Sequence, residues 1–331
     1  MTSYKEIKSI SKDLKIGGPS ISQINHMDHW LNYYFHFCIE NKCMPDFFTF
    51  HFYPHDETRE ILAKGLECGR HIPRLNPNKD MLEEYVDIIL SYVNKYGYSR
   101  ENVFITEWNS SAFHRELTND TLYKASYIAR TITKNYNKIS SLSYWTFSDI
   151  IEEFPVPCQT YHGGIGVITK EGIPKAGYYA FYLLNKLGKQ LIYSSENLVI
   201  TSIGDEFQVL MYNYCHFDEL YCNNDRSMIN ELNRYDVFAE NEALKITLNL
   251  LQLPFYTAKI CEYHITKDHG STFDEWLNMG HPEKLQKEEI EYLKSIYPKY
   301  KTSIINLPDK LELRRILKPH EVRLITISKI C

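Results

Sequence analysis

Val103-Phe104-Ile105-Thr106-Glu107-Trp108-Asn109-Ser110-Ser111 is the stretch that decides how this chain is read. Val103 to Thr106 is a β-branched and aromatic run of strand type. Glu107 closes it, and Trp108, Asn109, Ser110 and Ser111 follow at once. A carboxylate at the carboxyl end of a buried strand gives up hydration, so it is costly to place there without a task.

Working outward, strands and helices alternate. Leu14-Lys15-Ile16 is a short β-run closed by Gly17-Gly18-Pro19. Met27, Trp30, Leu31, Tyr34, Phe35 and Cys38 recur at helical spacing. Phe47 to Tyr53 is a nearly continuous aromatic run, as in a buried parallel strand, and ends in Pro54. Leu82, Tyr85, Val86, Ile89 and Val93 mark a second helix. Leu122, Ala125, Ile128, Ala129 and Ile132 mark a third, with Thr118 or Asn119 as its N-cap. Leu142 to Phe147 is a fourth strand, and Ala176 to Leu187 a closing helix ended by Gly188. Four βα units of this kind imply a parallel sheet with helices outside, about half of the roughly 250 residues that an eight-stranded barrel needs.

From about residue 196 the period becomes two, with Leu244, Ile246, Leu248 and Leu250 alternating with Lys245, Thr247 and Asn249. Phe207 to Tyr214, Tyr256 to Ile265 and the stretch around Val322 to Thr326 are further strands. The expected fold class is therefore α/β plus all-β: a partial (β/α)8 TIM barrel over 1–188, about its last four units, then an antiparallel β-sandwich over 189–331 with a helical insertion near 273–297. A half-barrel leaves parallel strand edges open. The expectation is that an upstream polypeptide, a partner chain or a homo-oligomer covers them.

Composition narrows the function classes. Hydrophobic residues at 44% exclude global disorder. A net charge of −5 with both signs interspersed argues against direct nucleic-acid binding. The 13 His form no HExxH or paired Cys/His pattern, so neither metal nor cofactor is expected. No two of the eight Cys are separated by two residues, and Cys38 and Cys261 read as small core hydrophobes. Without an apolar leader or a stretch of membrane-spanning length, the expected location is cytoplasmic, with no membrane partner. The 26 Tyr suit the apolar faces and polar rims of sugars, although many also serve packed interfaces.

The strand ends bring chemistry to one rim. His51 and Tyr53 end the second strand, Glu107 and Asn109 the third, and Trp145, Asp149, Glu152 and Glu153 the fourth. A carboxylate- and aromatic-rich rim fits a neutral polyhydroxylated ligand better than a phosphate, which would want a glycine-rich loop and cations. Each residue also has a structural use: Glu107 in a salt bridge, His51 as a satisfied buried histidine, Trp145 in a core.

Together these stretches resemble glycoside hydrolase family 39, the retaining β-xylosidase-like enzymes. The resemblance runs through Ile16 to Pro19, Asp46 to Pro54, Ile105 to Ser111, Tyr144 to Asp149 with Glu152-Glu153, Tyr161 to Gly166, Pro174 to Phe181 and, more weakly, Asp274 to Gly280. It implies that Glu107 is the nucleophile that forms a glycosyl-enzyme. It further implies that His51, Tyr53, Asn109, Trp145, Glu152, Glu153 and His162 bind a β-xyloside or related sugar. The chain departs from the family in one respect. The acid/base Glu lies in a Trp-Asn-Glu-Pro motif, and this sequence has none. Three functions compete: a β-xylosidase-type hydrolase completed by another polypeptide, the sugar-sensing domain of an AraC-type transcriptional regulator, and a truncated product without function.

Overall fold

A computed structural model describes residues 1–22, 27–55, 66–67, 70–71, 74–151, 155–239, 242–307 and 310–330. In chain order the first elements are α1 (Thr2–Ile10), β1 (Gly17–Ile21), α2 (Met27–Glu40), β2 (Phe47–Phe52) and the short pair β3 (Leu66–Glu67) and β4 (Arg70–His71). Then come α3 (Met81–Val93), β5 (Val103–Trp108), α4 (Tyr123–Asn135), β6 (Ser141–Tyr144) and α5 (Ala176–Leu184). The rest are β7 (Gln190–Ser194), β8 (Leu198–Ile203), β9 (Glu206–Tyr212), α6 (Glu219–Cys222), β10 (Leu244–Leu251), β11 (Thr257–Ile265), α7 (Thr272–Asn278), α8 (Lys287–Lys294), β12 (Lys299–Asn306), β13 (Lys310–Leu317) and β14 (Val322–Lys329). The chain divides into two compact units. One comprises Met1–His55, Asn78–Ala112 and Lys134–Trp145; the other comprises Asp56–Pro77, Phe113–Thr133 and Thr146–Cys331.

The first unit is built on a parallel sheet of order β1-β2-β5-β6. Its strands bury one face more deeply than the other. Phe48, Phe50, Val103 and Ile105 are fully buried, while Phe47, Phe104 and Thr106 are half-buried. From the helices come the buried Leu31, Phe35 and Cys38 of α2 and Leu82, Val86, Ile89 and Val93 of α3. Burying each such aliphatic side chain is worth roughly 1.5–3 kcal/mol. Tyr85 sets its ring 5.7 Å from Phe50 and 5.4 Å from Phe52, so α3 and β2 share a core. Helix α2 stops in a Schellman turn, in which the Cys43 N–H donates to Cys38 O (2.9 Å) and the Lys42 N–H to Ile39 O (3.1 Å). Lys42 takes the left-handed φ of 52° that this turn needs.

The second unit carries the antiparallel sheets. Six strands run in the order β12-β11-β14-β9-β8-β7, and β10 pairs with β13. One apolar cluster joins them: Leu198, Ile200, Val209, Met211, Ile260 and Ile327 from the larger sheet and Leu311, Leu313 and Leu317 from β13, with Ile246, Leu248 and Leu250 of β10 packed against it. The period-two pattern of β10 is thus a one-sided burial pattern. A smaller cluster, Tyr161, Ile173, Phe273 and Leu293, seats α7 and α8, the helices expected near 273–297.

Several elements differ from the sequence reading. The first strand is Gly17–Ile21 rather than Leu14 to Ile16, because the glycines are strand residues. A Cβ on Gly17 would lie 1.9 Å from the Phe47 ring, so a larger residue there would have to push that ring aside. Trp30, counted on the buried stripe of α2, is 43% exposed. Thr118 and Asn119 do not cap α4; they sit in the 3-10 turn Leu117–Asp120, and the Asn119 amide donates instead to Gly163 O at 2.9 Å. Cys38 and Cys261 are buried as expected. Among the described residues no helix is long and apolar enough to cross a membrane.

Candidate active site

A β-bulge places Glu107. Along β2 and β5, Phe50 pairs with Ile105 but His51 pairs with Glu107, so Thr106 is an extra residue in β5. The Thr106 hydroxyl donates to Phe50 O (3.2 Å) across the bulge. In an unbroken strand Glu107 would fall on the Val103 and Ile105 side, which is fully buried. The bulge turns it to the side of His51, and Trp108 takes the buried position beside Phe52.

Two side chains meet at one oxygen of Glu107. The Tyr53 hydroxyl donates to Oε2 at 3.0 Å, and His51 Nδ1 lies 3.1 Å from the same Oε2. The Tyr53 contact is the hydrogen bond, and His51 is a close polar neighbour of the same oxygen. Among the described residues no Lys or Arg lies at ion-pair distance from Glu107. Its side chain keeps 25% exposure and that of His51 18%. The geometry leaves Oε1 clear of both contacts.

Asn109 and Trp145 complete this corner of the unit. Asn109 is fully buried; its Nδ2 donates to Trp145 O (2.5 Å) and its Oδ1 accepts the Ser110 N–H (2.7 Å). The Trp145 N–H in turn donates to Trp108 O (3.1 Å). Trp145 is therefore tied by its backbone to the strand that ends in Glu107, and its half-buried indole follows from that anchor. So the structure brings His51, Tyr53, Glu107, Asn109 and Trp145 together in one unit. His162 belongs to the other unit, where its Nδ1 lies 3.2 Å from Gln159 O. Glu152 and Glu153 lie outside the described residues.

Asp149, also on the expected rim, belongs to a buried ionic quartet in the second unit. Lys175 Nζ lies 2.6 Å from Asp120 and 2.7 Å from Asp149, and Arg234 donates to Asp120 at 2.8 Å. Burial alone would raise the Asp120 carboxyl, but Lys175 and Arg234 outweigh it and hold it below the ordinary carboxylate range. The Gly166 N–H donates to Asp149 Oδ1 at 2.9 Å, and a Cβ on Gly164 would lie 2.3 Å from that oxygen. The His162-Gly163-Gly164-Ile165-Gly166 motif thus wraps a committed carboxylate. Sequence reasoning missed this quartet, and it missed the bulge at Thr106.

The model of glycosyl hydrolases family 39 matches residues 2–307. A beta-xylosidase of Geobacillus stearothermophilus is 28% identical over 333 residues, which cover 98% of this chain and 60% of that protein. The crystal structure of a family 39 enzyme from Xanthomonas axonopodis pv. citri superposes with a TM-score of 0.82 at 20% identity, covering 99% of this chain and 63% of that one. An uncharacterized HTH-type transcriptional regulator of Staphylococcus aureus (strain MSSA476) is 21% identical over 250 residues, 75% of this chain and 32% of the regulator. The chain thus spans about three fifths of the length of the beta-xylosidase it resembles. With the family model matching residues 2–307 of the 331, and with strand ends that bring Glu107 to His51 and Tyr53, this chain belongs to glycosyl hydrolases family 39.

Proposed function

We propose that this chain carries the nucleophile side of a retaining β-xylosidase-type site. One observation supports this above the others: the Tyr53 hydroxyl donates to Oε2 and His51 lies against the same oxygen, which orients the carboxylate and leaves Oε1 clear of both contacts. In a retaining enzyme this oxygen bonds the anomeric carbon through an oxocarbenium-like transition state. A second carboxylic acid about 5–5.5 Å away protonates the leaving oxygen and later activates water. That acid is not in a Trp-Asn-Glu-Pro motif of this sequence. It would come from polypeptide outside the sequence or from a partner chain. Residues 1–188 would then be the last four units of a (β/α)8 barrel and residues 189–331 its β-sandwich neighbour. His51, Tyr53 and Trp145 would contact a β-xyloside, with Glu152, Glu153 and His162 as further candidates, and Asn109 would act through Trp145.

The test uses an activated 2-fluoro-xyloside, whose leaving group needs little acid help. The expected result is a covalent adduct on Glu107, found by mass spectrometry and absent from Glu107→Gln. The similarity to the regulator favours a second reading, in which the site senses a sugar without turnover. A folded chain that binds xylose and takes no label supports that reading against the first.

A further inference from the structure

We infer that His55 is a positioning residue for Glu107, acting through the segment that follows β5. This rests on the nucleophile reading above. After β2 the chain turns at Pro54, and the His55 N–H donates back to Tyr53 O at 2.8 Å. The His55 ring then lies alongside the Tyr53 ring, with centroids 5.9 Å apart and planes 22° from parallel. Its Nε2 sits 3.2 Å from the Ala112 N–H. A backbone N–H can only donate, so Nε2 carries a lone pair and Nδ1 the proton. The imidazole is therefore neutral. Burial keeps it so, pushing its pKa from 6.5 down to about 4.

The ladder between β2 and β5 ends at the pair Phe52 and Trp108. Beyond it the two strands diverge into loops, and Tyr53 lies in the first of them. His55 joins the two exits again, by a hydrogen bond to Ala112 on one side and by its own turn and ring on Tyr53 on the other. Tyr53 is the residue whose hydroxyl holds Oε2. Losing the acceptor at His55 would leave the Ala112 N–H unanswered and free the loop that carries this hydroxyl. The acceptor, rather than the ring, is what Glu107 depends on. Neither strand periodicity nor a catalytic motif marks this histidine, because its partner is a backbone amide.

The full chain is labelled with 2,4-dinitrophenyl 2-deoxy-2-fluoro-β-xyloside, and the inactivation rate constant and the reagent's dissociation constant are measured separately. His55→Phe keeps a ring and loses the acceptor; His55→Gln keeps an acceptor of similar reach and loses the ring. The expected result is a rate constant lowered by roughly tenfold or more in His55→Phe, with the dissociation constant within about twofold. In His55→Gln most of the rate should return. Equal labelling of His55→Phe and wild type overturns the inference alone, and so does a loss that His55→Gln fails to restore. A wild-type chain that takes no label at Glu107 sinks the nucleophile reading itself. Should His55→Phe fail to fold, the imidazole 15N shifts of wild type decide. An Nε2 that stays unprotonated well below pH 6, with the proton on Nδ1, supports the inference, and a proton on Nε2 or an ordinary titration near 6.5 overturns it.

Discussion

Glu107 keeps 25% side-chain exposure and is held by a phenol and an imidazole, whereas Asp120 and Asp149 are fully buried and each touches a cation. The difference shows how one side chain type is assigned two tasks. A hydroxyl donor on one oxygen steadies a carboxylate without cancelling its charge. Cations at ion-pair distance cancel the charge, and burial then makes the pair indispensable to the fold. Carboxylates that look alike in sequence separate by the company they keep.

Four experiments break or sharpen that contrast, beginning with the largest effect. Glu107→Gln should slow covalent labelling by on the order of 10⁴-fold or more, with its urea midpoint nearly unchanged. A large loss of stability would mean that Glu107 is structural after all. Lys175→Met should do the reverse. It strands Asp149 in a buried site and leaves Asp120 to Arg234 alone, so a cost of about 3–5 kcal/mol is expected by equilibrium unfolding. A loss under about 1 kcal/mol would show that the quartet resembles a surface pair.

The third experiment concerns pH. His320 is buried, and burial, with Lys267 adding to it, pushes its pKa from 6.5 down to about 3. The unfolded chain therefore binds a proton between these values and the folded chain does not. Stability should fall as pH drops below 6.5, and continue to fall until about 3. The stability margin of wild type over His320→Asn should shrink by about 2 kcal/mol between pH 7 and pH 5. A margin independent of pH would show that His320 is charged or accessible in the folded state. Smallest is Tyr53→Phe, which removes the hydroxyl that donates to Oε2; labelling should slow by roughly tenfold, the worth of a hydrogen bond to a charged group. An unchanged rate would show that this hydrogen bond does not orient Glu107.

Much of this contrast was legible before the structure, and the gaps have physical causes. The helices α2 and α3 and the strands β5 and β10 announce themselves because each buries one face and alternates accordingly, and β2 does so by its nearly continuous aromatic run. Helix α1 buries nothing, and β12 is exposed along most of its length, so neither leaves a periodic signal. The place of Glu107 at a strand end could be read from its neighbours, but the side it faces could not. Thr106 shifts the register by one residue, and only the partner strand reveals that. The quartet was hidden for a related reason. Asp120, Asp149, Lys175 and Arg234 are far apart in sequence, and each alone resembles a solvated loop charge.

The hydrogen bond on Oε2 also bears on the way out of the reaction. An ester formed at Oε1 would have Oε2 as its carbonyl oxygen, with the Tyr53 hydroxyl already in place. The same hydroxyl that holds the attacking carboxylate would polarise that carbonyl and steady the negative charge that returns as the ester bond breaks. Glu107 would then be as well prepared to be a leaving group as to be a nucleophile.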